Sequence, residues 1–167
     1  RKTYAYEASA RVPFIVKAPP GMEVHRNREI SQIAGWEDIM PTFLDIAGAA
    51  IPETVEGKSI LPLLRGEEAD WRSTYHGEHA PCYHPETANQ FLTDRQWKYI
   101  WNPITGQEQL FDLKADPNEC HDLSQNNHHH KTLCEWRERL AQQLKGRVES
   151  LSDGITLAPG KVSAWIG

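Results

Sequence analysis

Arg1-Lys2-Thr3-Tyr4-Ala5-Tyr6-Glu7-Ala8-Ser9-Ala10-Arg11-Val12-Pro13-Phe14-Ile15-Val16 passes from a polar, charged stretch straight into a short apolar run. The run from Val12 to Val16 is β-branched and aromatic, and it closes at Ala18-Pro19-Pro20-Gly21. Proline is tolerated at the entry of a strand, where its missing N–H breaks no ladder. The pattern predicts a strand over 12–16, buried on both faces as in an α/β sheet. Such a strand needs neighbours, and these are expected upstream of Arg1, outside this sequence.

Downstream, Asp38 stands where a helix N-cap belongs, just ahead of Ile39 and Met40. Pro41 falls in the first turn, where its missing N–H has no intrahelical acceptor to disappoint. Phe43, Leu44, Ile46 and Ala47 make an apolar face, and Gly48 ends a helix predicted over 38–47. Residues 49–72 read as loop punctuated by Pro52, Gly57, Pro62 and Gly66, pinned by Ile60, Leu61, Leu63 and Leu64. Glu67-Glu68-Ala69-Asp70 reads as a solvated acidic patch.

From Ser73 the pattern changes. Strand-like segments at 73–78, 90–93, 98–101 and 109–112 are separated by the turn signals Asp94-Arg95 and Asn102-Pro103-Ile104-Thr105-Gly106. They predict an antiparallel meander, with Trp97, Tyr99 and Trp101 alternating onto one packed face. Leu133, Trp136, Leu140, Leu144 and Val148 then recur at three- and four-residue steps. That stripe predicts a helix over 131–149 covering one face of the sheet. Residues 150–167 are weakly patterned, although Val162, Trp165 and Ile166 could add an edge strand.

Composition bounds the function. The 167 residues are 39% hydrophobic and 25% charged, the balance of a folded domain with its own core. A formal net charge of −5 offers no basic face for nucleic acid, and no apolar run reaches membrane-spanning length. Three cysteines, Cys82, Cys120 and Cys134, lack the spacing of a disulfide framework or a zinc site. His128-His129-His130 sits among polar neighbours and reads as an exposed loop.

Lys2-x-x-x-Tyr6-Glu7-x-Ser9-x-Arg11-Val12-Pro13-Phe14-Ile15-Val16 resembles the segment that follows the last metal-binding loop in sulfatases of the alkaline-phosphatase-like superfamily. The likeness continues through 38–48 and 57–66, and resumes at 97–101 and 108–119. The resemblance implies an α+β fold. A small antiparallel sheet of three or four strands is packed by a C-terminal helix. It is preceded by a strand–helix remnant of an α/β alkaline-phosphatase-like core, whose helix the resemblance packs on the large central sheet, so that Trp36 and Phe43 are expected in a core. The implied division is 1–71 for the end of the α/β core, 72–149 for the α+β subdomain and 150–167 for a tail.

The resemblance also bears on function. Such an enzyme hydrolyses sulfate esters with a formylglycine nucleophile, made from Cys or Ser in a Cys/Ser-x-Pro/Ala-x-Arg motif, and with Ca²⁺. Neither that motif nor the metal carboxylates occur here. The chain is therefore expected to be the C-terminal portion of a sulfatase, to be inactive alone and to hold no metal. The expected partner of the parent is a sulfated small molecule or glycan. Self-association through the core remnant is a further expectation. A phosphate or phosphonate monoester hydrolase of the same superfamily, and a non-catalytic binding or structural module, remain as alternatives. The address of the parent stays open, with export one option.

Lys2 matches the family lysine that binds the substrate's sulfate. A fixed ammonium beside sulfate oxygens stabilises negative charge before and during bond cleavage. Glu7 and Arg11, four residues apart, read as a structural pair. His76-Gly77-Glu78-His79, with His84 close behind, carries groups suited to proton transfer but lacks the H-E-x-x-H spacing. The resemblance brings this strand end, with His76 and His79, toward the organic part of the substrate. The residues alone read first as a hydrogen-bonded strand end.

Overall fold

The structure is a computed structural model that describes residues 3–81, 84 and 87–160. The meander forms as expected. Strands β1 (Tyr75–His79), β2 (Asn89–Thr93), β3 (Trp97–Trp101) and β4 (Glu108–Asp112) make one sheet in the order β1-β2-β3-β4. Antiparallel pairing sets Leu92 opposite Tyr99, and Tyr99 opposite Leu110. The turns are closed by side chains that mimic backbone acceptors. Asp94 Oδ1 accepts from the N–H groups of Gln96 and Trp97, and Asn102 Oδ1 from those of Ile104 and Thr105.

Alternation puts Leu92, Tyr99, Trp101 and Leu110 on one face of the sheet. Helix α4 (His130–Gln143) covers it. Its apolar stripe delivers Leu133, Trp136 and Leu140, and Leu144 follows at the cap; all four are at most 4% exposed. Each buried leucine of this kind contributes about 1.5–3 kcal/mol before its entropy cost. The helix is shorter than expected. Gly146 turns the chain at φ 77°, which breaks the four-residue register, and Val148 ends 88% exposed instead of in the stripe. The segment beyond is less of a tail than its composition suggests, because Leu151 returns to the core fully buried. The edge strand expected at Val162 to Ile166 lies outside the described residues. The three histidines also differ from expectation. Asn126 caps a 3₁₀ turn over Asn127–His129, and His130 begins α4.

By its contacts the chain divides into two units, Arg1–Pro13 with His76–Gly167, and Phe14–Tyr75. The sequence reading groups 1–71 together. Residues 3, 5, 6 and 7 contact the second face of the sheet, as described below.

The other unit holds a 3₁₀ turn (Trp36–Asp38), helix α2 (Ile39–Ile46) and helix α3 (Leu61–Arg65), with Ile60, Leu61, Leu63 and Leu64 buried. Asp38 is its hub. The carboxylate is fully buried and makes no N-cap bond to α2. It accepts from the Gly35 and Lys58 N–H groups, each at 2.8 Å, and from both Arg72 terminal nitrogens at 2.5 and 2.6 Å. Burial alone would push this carboxyl up. The Arg72 hydrogen bonds, the two backbone donors and the Arg72 charge together hold it below its ordinary value. Gly57 permits the close approach, since a Cβ there would stand 1.9 Å from the Glu37 carbonyl oxygen.

Two expectations for this unit are corrected. Residues 12–16 form no strand, and Ile15 is 88% exposed. A strand buried on both faces takes its ladder from neighbours, and among the described residues none pairs with it. Trp36 and Phe43, expected in a core, are 72% and 67% exposed, because α2 buries its Pro41–Thr42 side instead.

Candidate functional site

Residues 3–7 form a turn with bends at Tyr4 and Tyr6, and the start of a one-turn helix, α1 (Glu7–Ala10). The second face of the sheet holds this span at residues 3, 5, 6 and 7. Asn89 Nδ2 on β2 donates to the Thr3 carbonyl at 3.1 Å. Lys98 Nζ on β3 donates to the Ala5 carbonyl at 2.8 Å. The Tyr6 hydroxyl donates to Gln109 on β4 at 3.1 Å, and its ring meets Phe111 edge-on at 5.9 Å.

At the centre is an ion cluster. Lys98 is fully buried, and its Nζ lies 2.6 Å from Glu7 Oε1 and 3.1 Å from Glu119 Oε1. The Phe91 ring lies 5.5 Å from the same ammonium. Glu119 accepts from the Glu7 N–H through its other oxygen, while Oε1 is buried without a hydrogen bond and meets Lys98 as an ion pair only; the Glu119 backbone is left-handed at φ 54°. The expected Glu7–Arg11 pair is present at 3.9 Å, but Lys98 is the nearer partner of Glu7. Sequence reasoning missed Lys98 and Glu119. The signal was a lysine at the alternate, non-aromatic position of Trp97-Lys98-Tyr99-Ile100-Trp101, where a strand covered on both faces leaves no path to water.

His76 and His79 point to opposite faces of β1, as alternate registers require. His76 Nε2 lies 2.7 Å from Gln90 Oε1, Gln90 Nε2 donates to Glu78 at 3.2 Å, and Arg147 pairs with Glu78 at 2.9 Å. His79 Nδ1 is buried without a hydrogen-bond partner. The two histidines are thus not brought together. Lys2 lies outside the described residues. Among the described residues no group of three or more His, Cys, Asp or Glu side chains converges as a metal site.

On the helix-covered face, Glu108 accepts from the Tyr99 hydroxyl and from Arg137 Nε at 2.6 Å and a terminal Arg137 nitrogen at 2.7 Å. Burial would raise the Glu108 carboxyl, but Arg137 and the Tyr99 hydroxyl hold it below its ordinary value. Burial first, and the Glu108 carboxylate second, push the Tyr99 phenol far up, so it stays protonated.

The family model described as N-sulphoglucosamine sulphohydrolase, C-terminal, matches residues 1–146. The chain belongs to this sulfatase family. It is 35% identical to an arylsulfatase of Clostridium perfringens over 161 residues, covering 96% of this chain and 33% of that protein. The chain therefore spans about a third of the length of this curated relative. Among solved structures, one in complex with its substrate D-glucosamine-2-N,6-O-disulfate is 26% identical, with a TM-score of 0.58 over 64% of this chain and 23% of that one. The phosphonate monoester hydrolase from Silicibacter pomeroyi is 25% identical, with a TM-score of 0.57 over 68% of this chain and 26% of that one. These neighbours share the α+β arrangement of sheet and helices.

Proposed function

We propose that this chain is the C-terminal portion of an enzyme that hydrolyses sulfate esters, with a sulfated sugar as the substrate class. The carrying observation is the sulfatase family match across residues 1–146, which includes the Lys2-x-x-x-Tyr6-Glu7 segment. The structural neighbour whose own substrate is a disulfated glucosamine supports the sugar.

In this reading Lys2 meets the sulfate. Its ammonium offsets negative charge on the oxygens and on the departing ester oxygen. The described residues fit no metal and supply no formylglycine precursor motif, so they contribute positioning: the sheet fixes the backbone that follows Lys2. The 167-residue chain alone gives no turnover on this account. The likeness to a phosphonate monoester hydrolase keeps that substrate class as the second reading.

The test is Lys2→Ala in the full-length enzyme, with kcat and KM measured on an aryl sulfate, a sulfated glucosamine and a phosphonate monoester. Loss of one preorganised charged partner is expected to lower kcat/KM on the sulfates by about 10²–10³. Lys2→Arg should restore only part, because a planar guanidinium is not a compact ammonium. An effect below about threefold, or a strong preference for the phosphonate, would refute the reading.

A further inference from the structure

We propose that Lys98 is a positioning residue for Lys2: from the middle of β3 it fixes the backbone of residues 5–7, and so the place from which Lys2 reaches the sulfate. The inference rests on the role of Lys2 given above and extends it to a residue about a hundred positions away.

The argument starts from cost. Burying an ammonium completely is expensive unless it is paired and hydrogen-bonded. An apolar side chain of similar volume would cover Phe91 and Ala5 without that cost, so the ion cluster is poor value as mere filling. What it supplies is direction. Every oxygen around the ammonium comes from outside the strand that carries it: the Ala5 carbonyl and Glu7 from the N-terminal span, and Glu119 from the turn after β4.

The contacts close a ring. Lys98 donates to the Glu7 carboxylate, the Glu7 N–H donates to Glu119, and the second Glu119 oxygen faces Lys98 as an ion pair without a hydrogen bond. Lys98 thus fixes a carbonyl at residue 5 and the side chain at residue 7, and Glu119 fixes the amide at residue 7. Asn89, itself buried, adds the carbonyl at residue 3. The span held in this way begins at the residue next to Lys2. Glu119 keeps a left-handed backbone that glutamate rarely adopts, a conformation that persists only where its surroundings hold it. A misplacement of about 1 Å in a charged group at a reacting centre can cost on the order of 10²-fold in rate.

The experiment is a double-mutant cycle in the full-length enzyme. Lys98→Met keeps the apolar stem and removes the charge. With Lys2 present, kcat/KM on a sulfate ester should fall about 10- to 100-fold. In the Lys2→Ala background the same change should cost less than about threefold, because the group it positions is gone. Lys98→Arg should recover part of the loss. A merely structural role gives a different pattern: a lower folded fraction reduces activity by the same factor in both backgrounds. Glu119→Gln and Asn89→Ala carry the same cycle if Lys98→Met fails to fold. Equal losses in both backgrounds, or no loss with Lys2 present, overturn the inference and leave the role of Lys2 intact. If Lys2→Ala is itself silent, the role of Lys2 falls, and the inference with it.

Discussion

Arg72→Met tests the buried hub of the 14–75 unit. The substitution keeps the aliphatic stem and deletes the guanidinium. The Asp38 carboxylate then loses contacts at 2.5 and 2.6 Å but keeps its two backbone donors, Gly35 and Lys58. Breaking a buried pair from one side typically costs about 3–5 kcal/mol. Here the Asp38 side chain is fully buried but that of Arg72 is 16% exposed, so water reaches one end. That argues for the lower limit, about 3 kcal/mol, which at roughly 1.4 kcal/mol per decade is on the order of 10²-fold. The assay is amide hydrogen exchange read by mass spectrometry. Exchange in α2 and around residues 58–64 should accelerate by that factor, while β3 stays protected. The pH dependence has a definite sign. In the folded wild type the carboxyl lies below its ordinary value of 3.8, so its contribution is complete above that value and fades as pH falls through the lower folded one. Without Arg72, burial dominates and the loss should move to higher pH. Acceleration under threefold, or equal acceleration in β3, would refute the reasoning.

Two further outcomes follow from the sheet unit. Glu108→Gln should cost about 1–2 kcal/mol, since Arg137 and the Tyr99 hydroxyl each lose an ionised acceptor. It should also flatten the acid limb: Glu108 is held below its ordinary 4.5, so its stabilisation is present above that pH and lost as pH falls through the folded value. Thermal midpoints between pH 3 and 7 check this, and parallel profiles for the two proteins would contradict it. Gly77→Ala places a Cβ 2.2 Å from Phe91 Cζ, so the ring must move and stability should drop by about 1–3 kcal/mol in urea denaturation. An unchanged midpoint would show that the ring swings away freely.

The meander and its helix were legible because their signals are local. Asp94-Arg95 and Asn102 to Gly106 carry their own turn chemistry, and the Leu133–Leu144 stripe has a period only a helix satisfies. The run at 12–16 misled for the opposite reason. Its composition suits a strand, but pairing belongs to neighbours that the described residues do not provide. Asp38 was placed at a helix start, as its residue type suggests, yet its partners Lys58 and Arg72 lie 20 and 34 residues away and leave no local trace. Lys98 and Glu119 are the same case at longer range. One charge in an aromatic strand and one glutamate in a turn become a pair only when the chain folds back. Of the proposed contact residues, the sequence singles out His76 and His79 by type, but alternation sends them to opposite faces.

The bond between the Glu7 N–H and Glu119 closes a sequence separation of 112 residues. At a synthesis rate of about 5–20 residues per second, the N-terminal span waits roughly 6–22 s for its acceptor to be made. The meander and α4 rest on contacts between near neighbours and can fold while later residues are still emerging. The bond that docks residue 7 cannot form before Glu119 is made, whereas Leu151 joins the core later still. A ribosome stalled before Glu119 therefore leaves the Glu7 amide without this acceptor.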